Sequence, residues 1–108
     1  MASMTATPDE LKTRNTDTLC YSWYQDQRQK VMDELLRRSA IEAGDVQTIK
    51  SRQIHIGMNE CSLMASWGPP STTNRTVTAN GTLIQYVFGS LHANYVYMQN
   101  GRITGIQN

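Results

Sequence analysis

The sequence contains no apolar run that approaches a membrane span and no excess of one sign of charge. A transmembrane helix needs about 18 or more consecutive apolar residues, and no segment of this chain comes near that length. Ten Lys and Arg residues stand against nine Asp and Glu residues, so the formal net charge is +1. Proteins that bind nucleic acid by neutralising phosphates carry a basic excess or a basic stripe. We therefore expect neither a membrane span nor a nucleic-acid-binding function.

Residues that perform catalysis or bind metal are also scarce. The chain has two histidines, His55 and His92, and no Cys/His cluster, glycine-rich phosphate loop or serine elbow accompanies them. His55 alternates with Ile54 and Ile56, which predicts that its imidazole faces solvent. We expect no catalytic residue, no metal site and no cofactor, and hence a protein that is not an enzyme.

The two cysteines leave two interpretations open. Cys20 and Cys61 are 41 residues apart, which is neither a redox nor a zinc-binding spacing. They are either two small buried apolar residues or a single disulfide between the helical half and the segment around Cys61. Closing a loop of this size would stabilise the fold by about 3–4 kcal/mol.

The first part of the chain, about residues 7–67, has the pattern of helices. Thr7 followed by a proline is typical of a helix start. Apolar pairs at near four-residue spacing predict an amphipathic helix from about 17 to 38, interrupted near Asp26. Asn59 is placed to cap a further short helix, and Gly68 is placed to end it.

The remainder, about residues 73–107, has the pattern of an antiparallel sheet. Segments rich in β-branched and aromatic residues lie at 75–78, 82–88, 94–99 and 102–107. Asn80-Gly81 and Asn100-Gly101 predict two type I′ turns, because Asn and Gly tolerate positive φ. The whole chain, 1–108, is therefore predicted to be a single α+β domain, with N-terminal helices packed on one face of a three- to four-stranded antiparallel meander.

The segment that joins the two halves has a recognisable order of residues. An apolar residue precedes a Gly-Met pair, a capped short helix follows, and an aromatic-Gly-Pro stop ends it. These positions are occupied by Ile56, Gly57, Met58, Asn59, Trp67, Gly68 and Pro69. Downstream, "IQYVF" (84–88) and "YVYMQNGRITGIQ" (95–107) complete the set. Over residues 54–108 the chain resembles the SmpA/OmlA (BamE-like) domain family.

This resemblance implies a helix–helix–three-strand fold, which also occurs in domains that inhibit β-lactamases. It implies a non-enzymatic role at the outer membrane of Gram-negative bacteria, as a partner in assembling β-barrel proteins. The chain departs from the family in having no lipoprotein signal with a lipid-bearing cysteine and in its longer helical N-terminal part. The implied location is the periplasm or the inner face of the outer membrane if a leader was removed, and the cytoplasm otherwise.

The same residues have physical roles that do not depend on the family. Gly57 permits a positive φ before the helix. Met58 is expected to fill a gap in the core, and Trp67 is expected to pack between helix and sheet, with its indole N–H on a hydrogen-bond acceptor. The segment is therefore predicted to fix the place where the chain passes from helices to sheet.

A protein-binding surface is the functional feature that the strands predict. Alternation places Leu83 and Val87 on one face of a strand and Tyr86 and Phe88 on the other. One layer of helices covers only one face of a sheet, so an exposed aromatic surface is expected. Its candidate residues are Tyr86, Phe88, Tyr95 and Tyr97. The alternative is a tyrosine face half-covered by loops, without a partner.

Three functional hypotheses follow, of which the first is preferred. The first is a non-enzymatic protein-binding module of the bacterial cell envelope, in the manner of an outer-membrane assembly or maintenance lipoprotein. The second is a proteinaceous inhibitor or immunity-type protein that blocks an enzyme. The third is a cytoplasmic or phage protein that uses the same fold for another role. The sequence does not identify the protein partner.

Overall fold

The computed structural model describes residues 11–108, which form helices followed by a four-stranded sheet. The predicted helix start at Thr7 lies outside the described residues. The helices are α1 (Thr16–Asp26), α2 (Gln29–Arg37), a 3₁₀ turn (Ala43–Asp45), α3 (Val46–Lys50) and α4 (Glu60–Trp67). The strands are β1 (Thr72–Thr78), β2 (Gly81–Phe88), β3 (Asn94–Gln99) and β4 (Arg102–Gln107). The predicted α+β class, with helices before strands, is confirmed.

The interruption predicted near Asp26 separates α1 from α2. The Asn15 side chain caps α1 by accepting a hydrogen bond from the Asp17 amide at 2.8 Å. At the other end, Gln27 adopts a left-handed conformation with φ 49° and its N–H bonds the Trp23 carbonyl. A left-handed residue ends a helix in this way because it turns the chain away from the helix axis. The single long helix is therefore two shorter ones.

The sheet is an antiparallel meander in the order β1-β2-β3-β4. Asn100 and Gly101 both have positive φ, 52° and 85°, as a type I′ turn requires. The predicted type I′ turn at Asn80-Gly81 is wrong. There Thr78 pairs with Gly81 across a two-residue loop, and of the predicted pair only Gly81 has a positive φ. The register therefore places Asn80 inside the loop and its glycine at the start of β2.

One core lies between the helices and one face of the sheet. The disulfide is present: Cys20 of α1 is bonded to Cys61 of α4, which selects the second interpretation of the two cysteines. Cys20 is fully buried and Cys61 is partly buried, and the remaining fully buried side chains come from both layers. They include Leu19, Met32, Leu35, Ile49, Met58, Leu63, Val96, Met98 and Ile103.

The joining segment has the structure that its residues predict. The Asn59 side chain caps α4 by accepting from the Ser62 amide at 2.9 Å, and Gly68 ends the helix with φ 78°. A Cβ on Gly68 would lie 2.5 Å from the Tyr24 ring, so this position has no space for a side chain. Met58 is fully buried, as predicted for a core residue. Trp67 is half-buried and donates its indole N–H to the Arg52 carbonyl at 3.1 Å.

A feature that the sequence did not predict is a backbone contact between this segment and the sheet. The Gly57 amide donates to the Ile103 carbonyl, and the Ile103 amide donates to the Met58 carbonyl, both at 2.8 Å. Gly57 has φ 97°, which agrees with the expected positive φ. The segment thus covers the outer edge of β4 as well as starting α4.

In the part of the chain that the structure describes, no helix combines the length and the apolar character that crossing a bilayer requires.

Candidate functional site

Two of the four aromatic residues predicted on an exposed surface lie on the covered face of the sheet. Tyr86 is only 3% exposed, and its hydroxyl donates to the Glu60 carboxylate. Phe88 packs edge-on against Trp67, with ring centroids 5.2 Å apart. The prediction is wrong for both residues. The helices cover this face because its side chains are the larger apolar set, and Glu60 of α4 satisfies the buried phenol.

The other two predicted residues, Tyr95 and Tyr97, lie on the face that the helices leave uncovered. Their neighbours Val96 and Met98 are buried under the helices, so alternation directs both tyrosines away from the core. Tyr95 pairs with Val87 of β2, and both tyrosines are half-buried. We call this surface the open face. Its other members on β1, β2 and β4 include Asn74, Leu83, Gln85, Gly105 and Gln107.

A chain of side-chain hydrogen bonds crosses the open face over all four strands. Asn74 donates to the Gln85 side-chain oxygen at 2.9 Å, and the Gln85 amide donates to the Tyr97 hydroxyl at 3.3 Å. The Tyr97 hydroxyl in turn donates to the Gln107 side chain at 3.1 Å. These bonds restrict the rotamers of four polar side chains. A surface ordered in advance loses less conformational entropy on binding.

Gly105 of β4 lies opposite Tyr97 of β3 and leaves space for the Tyr97 ring. It pairs with Tyr97 across the ladder, and a Cβ built on Gly105 would contact the ring at 3.4 Å. The ladder is irregular between Tyr97 and Met98, and Thr104 is the unpaired residue opposite this step. The irregularity keeps Ile103 in the core while Gly105 stays on the open face. The sequence signal for it was weak, since a glycine inside a strand only suggests a bulge or a close approach.

The two edges of the sheet differ. The segment Gly57–Asn59 contacts the outer edge of β4, through the bonds given above and a bridge between Asn59 and Arg102. By contrast, β1 pairs only with β2 among the described residues, and all seven of its residues are exposed. Within residues 11–108, one edge of the sheet is therefore covered and the other is open.

A cleft of about 220 Å³ lies beside β1, between that strand and helices α1 and α4. It is lined by Asp17, Tyr21, Glu60, Met64, Pro70, Thr73, Arg75, Ile84 and Tyr86. The pKa of Tyr21 is raised by burial and by the carboxylates of Glu60 and Asp17. The pKa of Tyr86 is raised by burial and by its hydrogen bond to Glu60. Both phenols therefore stay neutral near pH 7, and two carboxylates and one guanidinium provide the charge of the cleft.

His55 is exposed, as the sequence predicted, and its ring also makes two hydrogen bonds. Its Nε2 lies 2.6 Å from a carboxylate oxygen of Asp45, and its Nδ1 lies 2.8 Å from the Ile56 carbonyl. Both partners are acceptors, so the bonds are complete only when the imidazole carries both protons. The Ile56 carbonyl and then Asp45 raise the pKa of His55. Half-exposed and held in place, His55 connects the segment before α4 to the 3₁₀ turn.

Within residues 11–108, no group of three or more His, Cys, Asp or Glu side chains is arranged to hold a metal ion. No protein-family model, curated protein or solved structure matches this chain. The similarity to the SmpA/OmlA family therefore stays a prediction from the sequence. The structural features that bear on function are the open face of the sheet and the β1 edge with its cleft.

Proposed function

We propose that the protein is a non-catalytic protein-binding module and that the open face of the sheet is its contact surface. The observation that carries the proposal is the hydrogen-bonded chain from Asn74 to Gln107, which holds Tyr97 in place beside the half-buried Tyr95. Tyrosines are enriched at protein interfaces because they offer a large contact area and a hydroxyl at low entropy cost. Leu83, which is 40% exposed, adds an apolar contact on the same face.

The proposed location is the bacterial cell envelope. The disulfide between Cys20 and Cys61 supports this part of the proposal, because structural disulfides persist in oxidising compartments such as the periplasm. The residues shared with the SmpA/OmlA family, from Gly57 to Pro69, point in the same direction. The proposed partner is accordingly another envelope protein.

Site-specific photo-crosslinking in the cells that produce the protein tests this proposal. A benzophenone amino acid replaces Leu83 on the open face, and the control places it at Gln25, an exposed residue of α1 on the helical side. We expect one dominant adduct from position 83 that is absent from position 25. Mass spectrometry of that adduct distinguishes an assembly partner from an enzyme that the protein would inhibit.

A second substitution links the adduct to the open face. Tyr95→Ser in the position-83 variant removes the ring but leaves the backbone ladder, so we expect the adduct yield to fall about tenfold or more, as for loss of an aromatic interface residue. An equal yield from positions 83 and 25, or a yield that Tyr95→Ser leaves unchanged, contradicts the proposed contact surface.

A further inference from the structure

The outer edge of β1 presents backbone groups that β2 does not use. The Thr82 carbonyl accepts from the Asn100 amide at 3.2 Å, so the backbone of Thr82 faces β3. In the β1–β2 ladder, Val77 of β1 lies opposite Thr82. Because the backbone groups of Thr82 point to β3, Val77 makes no backbone hydrogen bond to β2. Alternation along an antiparallel strand then directs the N–H and C=O groups of Thr73, Arg75 and Val77 outward.

This edge has few of the features that prevent strands from adding to a sheet. Proteins block open edges with proline, lysine, bulges or very short strands. β1 has seven residues, contains neither proline nor lysine, and pairs with β2 in continuous register; Arg75 is its one charged residue. Val77, at 76% exposed, adds apolar surface to it. The opposite edge, by contrast, is covered by Gly57–Asn59.

The cleft beside β1 indicates which side chain an added strand would carry. Thr73 and Arg75 line it from the strand, and Asp17 and Glu60 line it from the helices. A strand paired with β1 places alternate side chains on this same side of the sheet. Two carboxylates against one guanidinium favour a cationic side chain at that place, and Tyr21 provides an aromatic wall for its stem.

We propose that β1 accepts an extended segment of a partner protein by strand addition, and that this segment inserts a Lys or Arg side chain into the cleft. The inference depends on the proposed binding function and specifies the chemistry of the partner. Main-chain hydrogen bonds to Thr73, Arg75 and Val77 give the affinity, and the carboxylates of Asp17 and Glu60 select the basic side chain.

The test uses the capped synthetic peptide Thr-Val-Thr-Arg-Thr-Val-Thr and its analogue with Glu in place of Arg. Binding is followed by two-dimensional amide NMR and hydrogen exchange of the labelled protein. We expect the Arg peptide to shift and protect the amides of Thr73, Arg75 and Val77. The Glu peptide is expected to bind at least about tenfold more weakly, because like charges then meet in the cleft.

Two sets of variants separate the strand addition from the charge selection. Val77→Pro removes an outward N–H that β2 does not use, so the fold tolerates it while peptide binding falls at least about tenfold. Val77→Thr keeps the N–H and is the matched control, with binding unchanged. The double variant Asp17→Asn/Glu60→Gln leaves Arg75 as the charge of the cleft. It is therefore expected to lose the preference for the Arg peptide or to favour the Glu peptide, and still to show the β1 amide shifts.

Several results would overturn the inference. These are equal binding of both peptides to the unaltered protein, or amide shifts that avoid β1. Self-association of the protein through β1, abolished by Val77→Pro, would also overturn it, because a second copy of the chain would then occupy the edge. If peptide binding fails while the adduct from position 83 persists, the edge inference is wrong and the proposed binding function stands.

Discussion

Glu34 is a buried carboxylate of α2 that helps to hold the end of α2 against the start of α1. Its carboxylate accepts two hydrogen bonds from Arg37, at 2.9 and 2.7 Å, and one from Arg38 at 2.7 Å. Arg38 in turn donates to the Leu11 carbonyl at 2.8 Å and to Thr16 at 3.0 Å. Glu34 thereby holds the guanidinium that connects α2 to the start of α1.

The hydrogen bonds from Arg37 and Arg38 lower the pKa of Glu34 from 4.5 to about 2. A lowered folded-state pKa gives stability that is present above pH 4.5 and is lost as the pH falls toward 2. We expect Glu34→Gln to lower the free energy of unfolding at pH 7 and to flatten its decline between pH 4.5 and 2. Urea unfolding at several pH values measures this.

Asp33→Asn is the matched control for this substitution. Asp33 is the exposed neighbour of Glu34 on α2 and accepts only a hydrogen bond from Gln29 in the described structure. The acid decline should persist in this variant because Glu34 is intact. If Asp33→Asn flattens the decline as much as Glu34→Gln, the ion pair of Glu34 is not its source.

His55 gives a pH dependence of the opposite sign. Its folded-state pKa is raised above 6.5 by the Ile56 carbonyl and Asp45. The stabilisation is therefore complete below pH 6.5 and is lost as the pH rises through the raised value. An NMR titration of the His55 ring should give a pKa above 6.5, and Asp45→Asn should bring it closer to 6.5. A value that Asp45→Asn leaves unchanged would show that the carboxylate does not contribute.

Helix α4 depends on Asn59 at its first turn for two separate interactions. The Asn59 carbonyl oxygen caps the helix at the Ser62 amide, and its amide nitrogen donates to the Ala40 carbonyl at 2.7 Å. We expect Asn59→Ala to lower the free energy of unfolding by about 1–2 kcal/mol, the usual cost of losing a helix cap. Thermal or urea unfolding followed by circular dichroism measures the loss.

Asn59→Asp separates the two interactions, because aspartate retains the capping oxygen and lacks the amide donor. The stability of this variant should lie between those of the wild type and Asn59→Ala. Equal losses for both substitutions would mean that the bond to Ala40, and not the cap, accounts for the effect.

Local chemistry explains which elements the sequence predicted correctly. The cap at Asn59, the stop at Gly68 and the turn at Asn100 depend on the conformational preferences of one or two residues. The error at Asn80-Gly81 is one of local turn register. Long-range contacts explain the errors at Tyr86 and Phe88. Alternation in β2 correctly placed Tyr86 and Gln85 on opposite faces of the sheet. Which face the helices cover depends on α4, whose Glu60 bonds Tyr86 from 26 residues earlier in the chain.

The sequence predicts the open face and the open edge of the sheet only in part. Tyr95 and Tyr97 were identified as candidates by strand alternation, and the structure places both on the open face. The hydrogen bonds of Tyr97 to Gln85 and Gln107 require the register of three strands. The cover over β4 requires the Gly57 segment to return to Ile103, and no local pattern indicates such a pairing.

The disulfide acts on the whole molecule because it joins the first described helix to the last. Cys20 is fully buried, and Cys61 lies 41 residues further along the chain. A crosslink that closes a loop of this length stabilises by about 4 kcal/mol, chiefly by restricting the unfolded chain. Domains of this size have a free energy of unfolding of about 5–15 kcal/mol, so the bond contributes a large fraction.

We expect Cys20→Ala/Cys61→Ala to lower the urea midpoint and the free energy of unfolding by about 4 kcal/mol, and to increase the m-value because the unfolded chain is no longer crosslinked. Fluorescence of the buried Trp23 follows the transition.

Wild-type protein unfolded and refolded with a reducing agent is the control, since it keeps both side chains and lacks only the bond. If the double variant is destabilised and the reduced wild type is not, the loss comes from packing at Cys20. If both are destabilised, the bond itself accounts for the loss, and this stabilisation persists only in an oxidising compartment such as the proposed envelope.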